Sequence, residues 1–228
     1  MCGRYASSAN PHDLAAYFAI EEPPEEVLAP SYNVAPTDPV YVVMKRHHVR
    51  RLAVVRWGLV PSWAKDPRGA ARFINARQES VREKPAFRAA FARRRCLVPA
   101  DGYYEWQNEA GRKQPYFLFA RDGKPLAMAG LYEVWRAPVT AAEDTPLLWT
   151  CTVLTTEAAD DLGHIHDRTP LLVPPDRWEH WLDPAVEDPG DDLLVPATPG
   201  RLDARAVSTR VGNVRNNDAQ LLEPLPAE

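Results

Sequence analysis

At 228 residues, 45% hydrophobic and 25% charged, the chain has the composition of an ordinary soluble globular protein, and one domain over 1–228 is expected. Its net charge of −4 argues against a protein that coats nucleic acid through bulk positive potential, so any such contact must be local. No run approaches the ~18 apolar residues of a membrane span, and no basic region followed by an apolar stretch opens the chain, so a cytoplasmic protein without a secretory signal is expected.

The chain begins Met1-Cys2-Gly3-Arg4-Tyr5. An initiator Met before a residue as small as Cys is normally excised, which would leave Cys2 with both a free α-amine and a thiol. Such a 1,2-aminothiol condenses with an aldehyde to a Schiff base, and its thiol closes on the imine carbon as a thiazolidine. It is equally the nucleophile of N-terminal-nucleophile amidases, in which the amine serves as base for its own thiol. Cys2 alone does not decide between them. The three cysteines, Cys2, Cys96 and Cys151, lie far apart without a CxxC pair, which argues against a disulfide framework and a zinc site. Cys96 and Cys151 read as reduced core residues in apolar strands.

Asn10-Pro11-His12-Asp13 with Leu14, Tyr17 and Phe18 predicts a capped amphipathic helix. The acidic, Pro-rich stretch 21–30 leads into Ser31-Tyr32-Asn33-Val34-Ala35-Pro36, which lacks a sustained period and reads as an ordered loop. The β-branched runs 40–44 and 50–55 predict a hairpin turning through His47 and His48. In Arg56-Trp57-Gly58-Leu59-Val60-Pro61-Ser62-Trp63, the Pro precludes a central strand. The bland reading is a packed turn with Trp57 in the core; the functional one is a rigid loop presenting an aromatic ring to a base or sugar.

A helix over 85–95 would bury Phe87, Ala90 and Phe91 and turn Arg88, Arg93, Arg94 and Arg95 outward. In Asp101-Gly102-Tyr103-Tyr104-Glu105-Trp106 strand alternation sets Tyr103 and Glu105 on one face and Tyr104 and Trp106 on the other. A carboxylate among aromatics is a candidate for a raised pKa near 7. Strands follow at 116–119, 126–135 and 147–154, with a tight-turn signal at Asp122-Gly123. His164-Ile165-His166-Asp167-Arg168 has His-x-His spacing but no matching ligand cluster, so acid/base work suits it better than metal. Strand-like Leu171-Leu172-Val173, a helix over 177–182 burying Trp178 and Trp181, a last strand over 206–211 and an irregular tail from Asn213 complete the chain.

Met1-Cys2-Gly3-Arg4, Ser31 to Pro36, Arg56 to Trp63, Asn75-Ala76-Arg77-Gln78-Glu79, Asp101 to Trp106 and His166-Asp167-Arg168-Thr169-Pro170 together resemble, in order and over nearly the whole chain, the SOS-response-associated peptidase (SRAP) family. The resemblance implies an α+β domain with a curved, largely antiparallel, barrel-like β core and peripheral helices. It also implies a monomer that covalently captures abasic sites in single-stranded DNA within a positively charged groove. Neither cofactor nor metal is implied. Replication machinery is a further expected partner, with nucleoid association if the source is bacterial. Carried over by position, Cys2 would be the crosslinking aminothiol, Asn75 would hold the opened sugar, Glu105 would shuttle protons at the Schiff base and His166 would assist ring opening. Arg4, Arg77 and Arg168 would contact phosphates, and Trp63, with Pro36, would form a wedge beside the lesion.

Two positions depart from the family's usual pattern, Thr169 where Met is usual and Gly212 where Asn is expected, and neither is expected to touch the chemistry. By its ordinary pKa of ~6.5, His166 is the group expected to titrate nearest physiological pH. Self-removal of Met1 by a thiol peptidase activity, and lyase cleavage at the lesion, are compatible with capture. The alternative is a glutamine-type amidohydrolase, which also begins Met-Cys-Gly. It would need a downstream Asn-Gly, which occurs nowhere in the chain, and a Gly-Asp element, where Asp101-Gly102 stands in the reverse order.

Overall fold

The computed structural model describes residues 2–109, 111–137, 147–158 and 161–226; Met1 and the last two residues of the expected irregular tail lie outside them. Helix α1 (Pro11–Phe18) forms as predicted: Asn10 Oδ1 accepts the Asp13 N–H at 2.9 Å, Pro11 takes a position whose N–H would be unpaired anyway, and Leu14 and Phe18 are buried. Strands β3 (Pro39–Arg46) and β4 (Val49–Trp57) form the hairpin. Its turn passes through exposed His47 and His48 at φ 51° and 67°, the doubly left-handed geometry that suits strand twist.

Short strands escaped the sequence pattern. Ser31–Val34 is not a loop but β2, paired with β1 (Tyr5–Ser7); three or four residues are too few to show a period. The strand expected over 171–173 is centred earlier as β11 (Arg168–Pro170), beyond which Leu171 and Val173 donate singly to the Leu154 and Ala127 carbonyls. The last strand likewise ends rather than begins at Ala206: β12 covers Leu202–Ala206, and the Ser208 hydroxyl then accepts the Arg210 N–H and starts a 3-10 turn over Thr209–Gly212.

Strand β7 (Gly102–Glu109) pairs with β8 (Arg112–Ala120), and one sheet runs β12-β8-β7-β1-β2. The other contains β6 (Arg95–Ala100), β9 (Leu126–Trp135) and β10 (Leu148–Glu157). Its order is β11-β10-β4-β3-β6-β9, with β5 (Asn75–Arg77) on β10 and a further pairing of β9 with β10. That last ladder, from Leu148 opposite Trp135 to Val153 opposite Gly130, closes β10, β4, β3, β6 and β9 into a ring. Among the described strand-to-strand ladders only β10 with β4 and with β5 are parallel, so the core is curved and largely antiparallel, as expected of the α+β class. The Asp122-Gly123 turn is present, with Gly123 at φ 71°, but it carries the chain from one sheet to the other instead of closing a hairpin.

The sheets pack through Tyr5, Val34, Tyr103 and Leu118 of the first against Val42, Val98, Met128 and Cys151 of the second. A second cluster gathers Leu97, Leu131 and Leu154 beneath α1, α2 (Arg88–Arg93) and α3 (Trp178–Leu182), with Trp178 and Trp181 buried as predicted. All three cysteines are buried and free. Gly102 is required where β7 crosses β8: a Cβ would lie 2.4 Å from the Leu118 carbonyl oxygen and 2.5 Å from Phe117 Cζ.

Arg95 corrects the reading of an outward arginine cluster. Arg88 and Arg93 face solvent, but Arg95 is 3% exposed. Its guanidinium donates to the carbonyls of Trp181, Asp183 and Val186 at 2.6 Å, Phe91 at 2.7 Å and Ala92 at 3.2 Å. It thereby satisfies the C-terminal ends of α2 and α3, where orphan carbonyls face inward. Arg95→Ala leaves several of them buried and unpaired at about 1–3 kcal/mol each. The variant is expected to lose about 3 kcal/mol or more, lowering Tm by about 6–12 °C in calorimetry; a Tm within 2 °C of wild type would contradict this role.

Candidate functional site

Strand β1 lies between β2 and β7, with Tyr5 opposite Tyr103 and Ala6 opposite Gly102. The Tyr104 N–H donates to the Arg4 carbonyl at 2.9 Å, and Cys2, just ahead of β1, turns into the inner cluster with Tyr5 and Tyr103. There the Cys2 carbonyl accepts from Asn75 Nδ2 at 2.7 Å. Asn75 opens β5 and is held opposite Val153 on β10. Its Oδ1 is buried without a hydrogen-bond partner, an acceptor that a ligand hydroxyl would satisfy.

Glu105 shares the face of Tyr103, while Tyr104 and Trp106 pack on the other side, as the alternation predicts. His166 precedes β11, and its Nε2 stands 3.9 Å from Glu105 Oε2. The Arg168 N–H donates to His166 Nδ1 at 2.9 Å, which leaves the ring proton on Nε2, facing Glu105. Exposed Asp167 also reaches Nδ1 at 3.0 Å, so a proton arriving there would exchange the backbone bond for an ion pair.

Burial pushes the Glu105 carboxyl up to about 7, in line with the sequence reading. Burial also lowers His166 below its ordinary 6.5, against the upward pull of Asp167. Burial thus moves the two partners in opposite directions, Glu105 up toward neutrality and His166 down from its ordinary value. Burial first, and the nearby Glu105 second, push the Cys2 thiol up, so the sulfur keeps its proton at neutral pH.

Two hollows meet at His166. One, of about 650 Å³, is lined by Arg77, Arg168, His166, Glu157 and Asp167; the other by Glu105, His166, Trp106, Asn108, Lys113 and Gly212. The first is within the ~300–1,000 Å³ of small-ligand sites. Its two arginines face two carboxylates, so it is not strongly positive. Arg77 is exposed, whereas the Arg168 guanidinium is engaged by Glu79 and the Thr155 carbonyl. Arg4 does not line either hollow: its Nη1 donates to Asn33 Oδ1 and the Val211 carbonyl, both at 2.8 Å, and Asn33 Nδ2 continues to the Asn216 carbonyl at 2.7 Å. Arg4 thus anchors the C-terminal segment. Trp57 is buried, donating to the Ile74 carbonyl, and Trp63 is 64% exposed, so the two readings of that motif divide between its two rings. Trp63 and half-buried Pro36 stand outside both hollows.

The family model described as SOS response associated peptidase (SRAP) matches residues 1–214. The chain belongs to the SRAP family. Among its SRAP relatives, Abasic site processing protein YoqW of Bacillus subtilis is 37% identical over 227 residues, covering 98% of this chain and 99% of that protein. Abasic site processing protein YedK of Escherichia coli is 32% identical over 237 residues, covering 99% and 100%. A crystal structure of a Bacteroides thetaiotaomicron protein superposes with a TM-score of 0.85 over 99% of this chain and 100% of that one; at 24% identity it speaks for the fold alone.

Both departures from the SRAP pattern border the site. The Thr169 hydroxyl meets Tyr103 Oη at 2.8 Å and lines a narrow space with Glu105 and His166, and Gly212 forms the lip of the second hollow. Sequence reasoning also missed Glu79, which lay inside a quoted motif without a role, and Trp106, Asn108 and Lys113, whose shared wall depends on the β7–β8 pairing. No helix of the described residues is long and apolar enough to cross a membrane.

Proposed function

We propose that the protein, as one domain over 1–228 acting as a monomer, captures abasic sites in single-stranded DNA as a covalent thiazolidine on Cys2. The observation that carries this reading is the placement of Cys2, tethered through its carbonyl to Asn75, beside the Glu105–His166 pair. The names of the relatives, abasic site processing proteins, support it.

An abasic sugar is mostly a closed hemiacetal, so a proton must move for the aldehyde to appear. Neutral His166 can relay it through Nε2–H, and the orphan Asn75 Oδ1 can hold the hydroxyl released by opening. Removal of Met1 exposes the Cys2 amine, which adds to the aldehyde carbon. Glu105, whose burial favours its acid form, gives its proton to the departing hydroxyl, and water leaves as the imine forms. The thiol then adds across C=N: sulfur bonds to carbon and the thiol proton passes to nitrogen, with Glu105 as carrier. Without the ring closure the Schiff base is free to eliminate the 3′ phosphate and cut the strand. Exposed Arg77 contacts a phosphate flanking the lesion, Arg168 lines the wall beside it while held by Glu79, Arg4 sets the position of the tail, and exposed Trp63 with Pro36 is the wedge that excludes duplex.

Single-turnover capture is expected to be fast on a single strand and at least about tenfold slower at the same lesion inside a duplex. Its salt dependence should be shallow, a slope of about −0.7 to −2 in log–log form, as one to three phosphate contacts give. Equal rates on the two substrates would overturn the single-strand reading.

A further inference from the structure

Glu79 follows β5 directly, in the 3-10 turn Gln78–Ser80, two residues beyond Arg77. Its carboxylate takes Arg168 in a forked pair: Oε1 meets Nη1, and Oε2 meets Nη2 at 3.1 Å. Arg168 Nη2 also donates to the Thr155 carbonyl at 2.7 Å, and the Arg168 side chain is only 11% exposed. Arg168 Nε is buried without a hydrogen-bond partner. The backbone N–H of the same residue holds His166 Nδ1. One arginine therefore links Glu79, the wall of the hollow and the orientation of His166.

A forked carboxylate occupies a guanidinium as a phosphate would. It fixes the arginine's direction and cancels its charge at once. We propose that Glu79 is a positioning residue that locks Arg168, and through it His166, in register for a captured strand while masking the arginine's charge, so that affinity for undamaged DNA is kept low. This rests on the single-strand capture reading above. A protein that scans for rare lesions gains from such masking, because tight binding to ordinary strands would sequester it.

The two halves of the proposal move in opposite directions when the charge is removed. In Glu79→Gln, the affinity for an undamaged oligothymidylate is expected to rise several-fold at low salt. The log–log salt slope should steepen by about 0.7, one added phosphate contact on a single strand. Single-turnover capture of an abasic oligonucleotide should meanwhile fall about tenfold or more, since misplacement of a supporting group is costly. Glu79→Asp keeps the charge and shortens the reach, so its slope stays at wild type while its capture rate falls. Melting temperatures of both variants report folding; a variant that does not fold is replaced by Arg168→Lys, which breaks the fork and keeps the cation, and which should follow Glu79→Asp in slowing capture. An unchanged slope in Glu79→Gln would mean that Glu79 does not mask Arg168, and an unchanged capture rate would mean that it does not position it; either result overturns the proposal. Failure of wild type to capture the abasic oligonucleotide would instead overturn the capture reading, and the salt slope on the undamaged strand would still decide the masking.

Discussion

Cys2→Ala protein is expected to form no heat-stable adduct with an abasic oligonucleotide, a loss of at least about 10³-fold against wild type. The variant keeps an α-amine, so it can still reach the Schiff base, but nothing closes on the imine carbon. Strand cleavage at the lesion should therefore persist or increase while the adduct disappears, a split that general loss of folding would not produce. Cys2 is fully buried and its carbonyl is tied to Asn75, so the smaller side chain leaves that anchor in place. Denaturing gels after heating would read both products. An adduct from Cys2→Ala as abundant and as heat-stable as that of wild type would remove the thiazolidine from the account.

Glu105→Gln and His166→Ala should each slow capture by about 10²–10⁴, the range of a positioned proton carrier, but at different steps. In the proposed mechanism His166 serves ring opening and Glu105 the carbinolamine and imine, so a small aldehyde that needs no opening should rescue His166→Ala far more than Glu105→Gln. The pH profiles should differ as well. Glu105 lies near 7, so its acid form is lost as pH rises through that value, and the wild-type rate should fall on the alkaline side. This arm disappears in Glu105→Gln and survives in His166→Ala, because burial moves His166 below its ordinary value, away from the alkaline side. Equal deficits on the aldehyde, or an alkaline arm that persists in Glu105→Gln, would mean that the pair acts as one relay.

The parts of the fold legible from sequence were those with their own local signal. Asn10-Pro11 with Leu14 and Phe18, and the β-branched runs around His47-His48, carry period and turn chemistry within a dozen residues. Tyr103 and Glu105 could be set on one face because β7 is long enough to alternate. Strands β1 and β2 could not, because their pairing is made across nearly thirty residues of chain. Arg95 failed for the related reason that helical spacing cannot foresee carbonyls arriving from Trp181, Asp183 and Val186. At the site, the motifs named the groups that the fold gathers at Cys2, but not their engagements. That Arg4 is spent on Asn33 and Val211, that Glu79 holds Arg168, and that Glu105 is raised while His166 is lowered all depend on burial and on partners distant in sequence.

The intact mass of the protein, alone and after mixing with a single-stranded abasic oligonucleotide, tests capture by an N-terminal Cys2 most directly. The purified chain is expected to be short by one methionine residue, and the adduct to weigh the sum of protein and full-length oligonucleotide less one water, since imine formation expels water and thiol addition expels nothing. A chain that retains Met1, an adduct carrying only a cleaved fragment, or no adduct at all would contradict it.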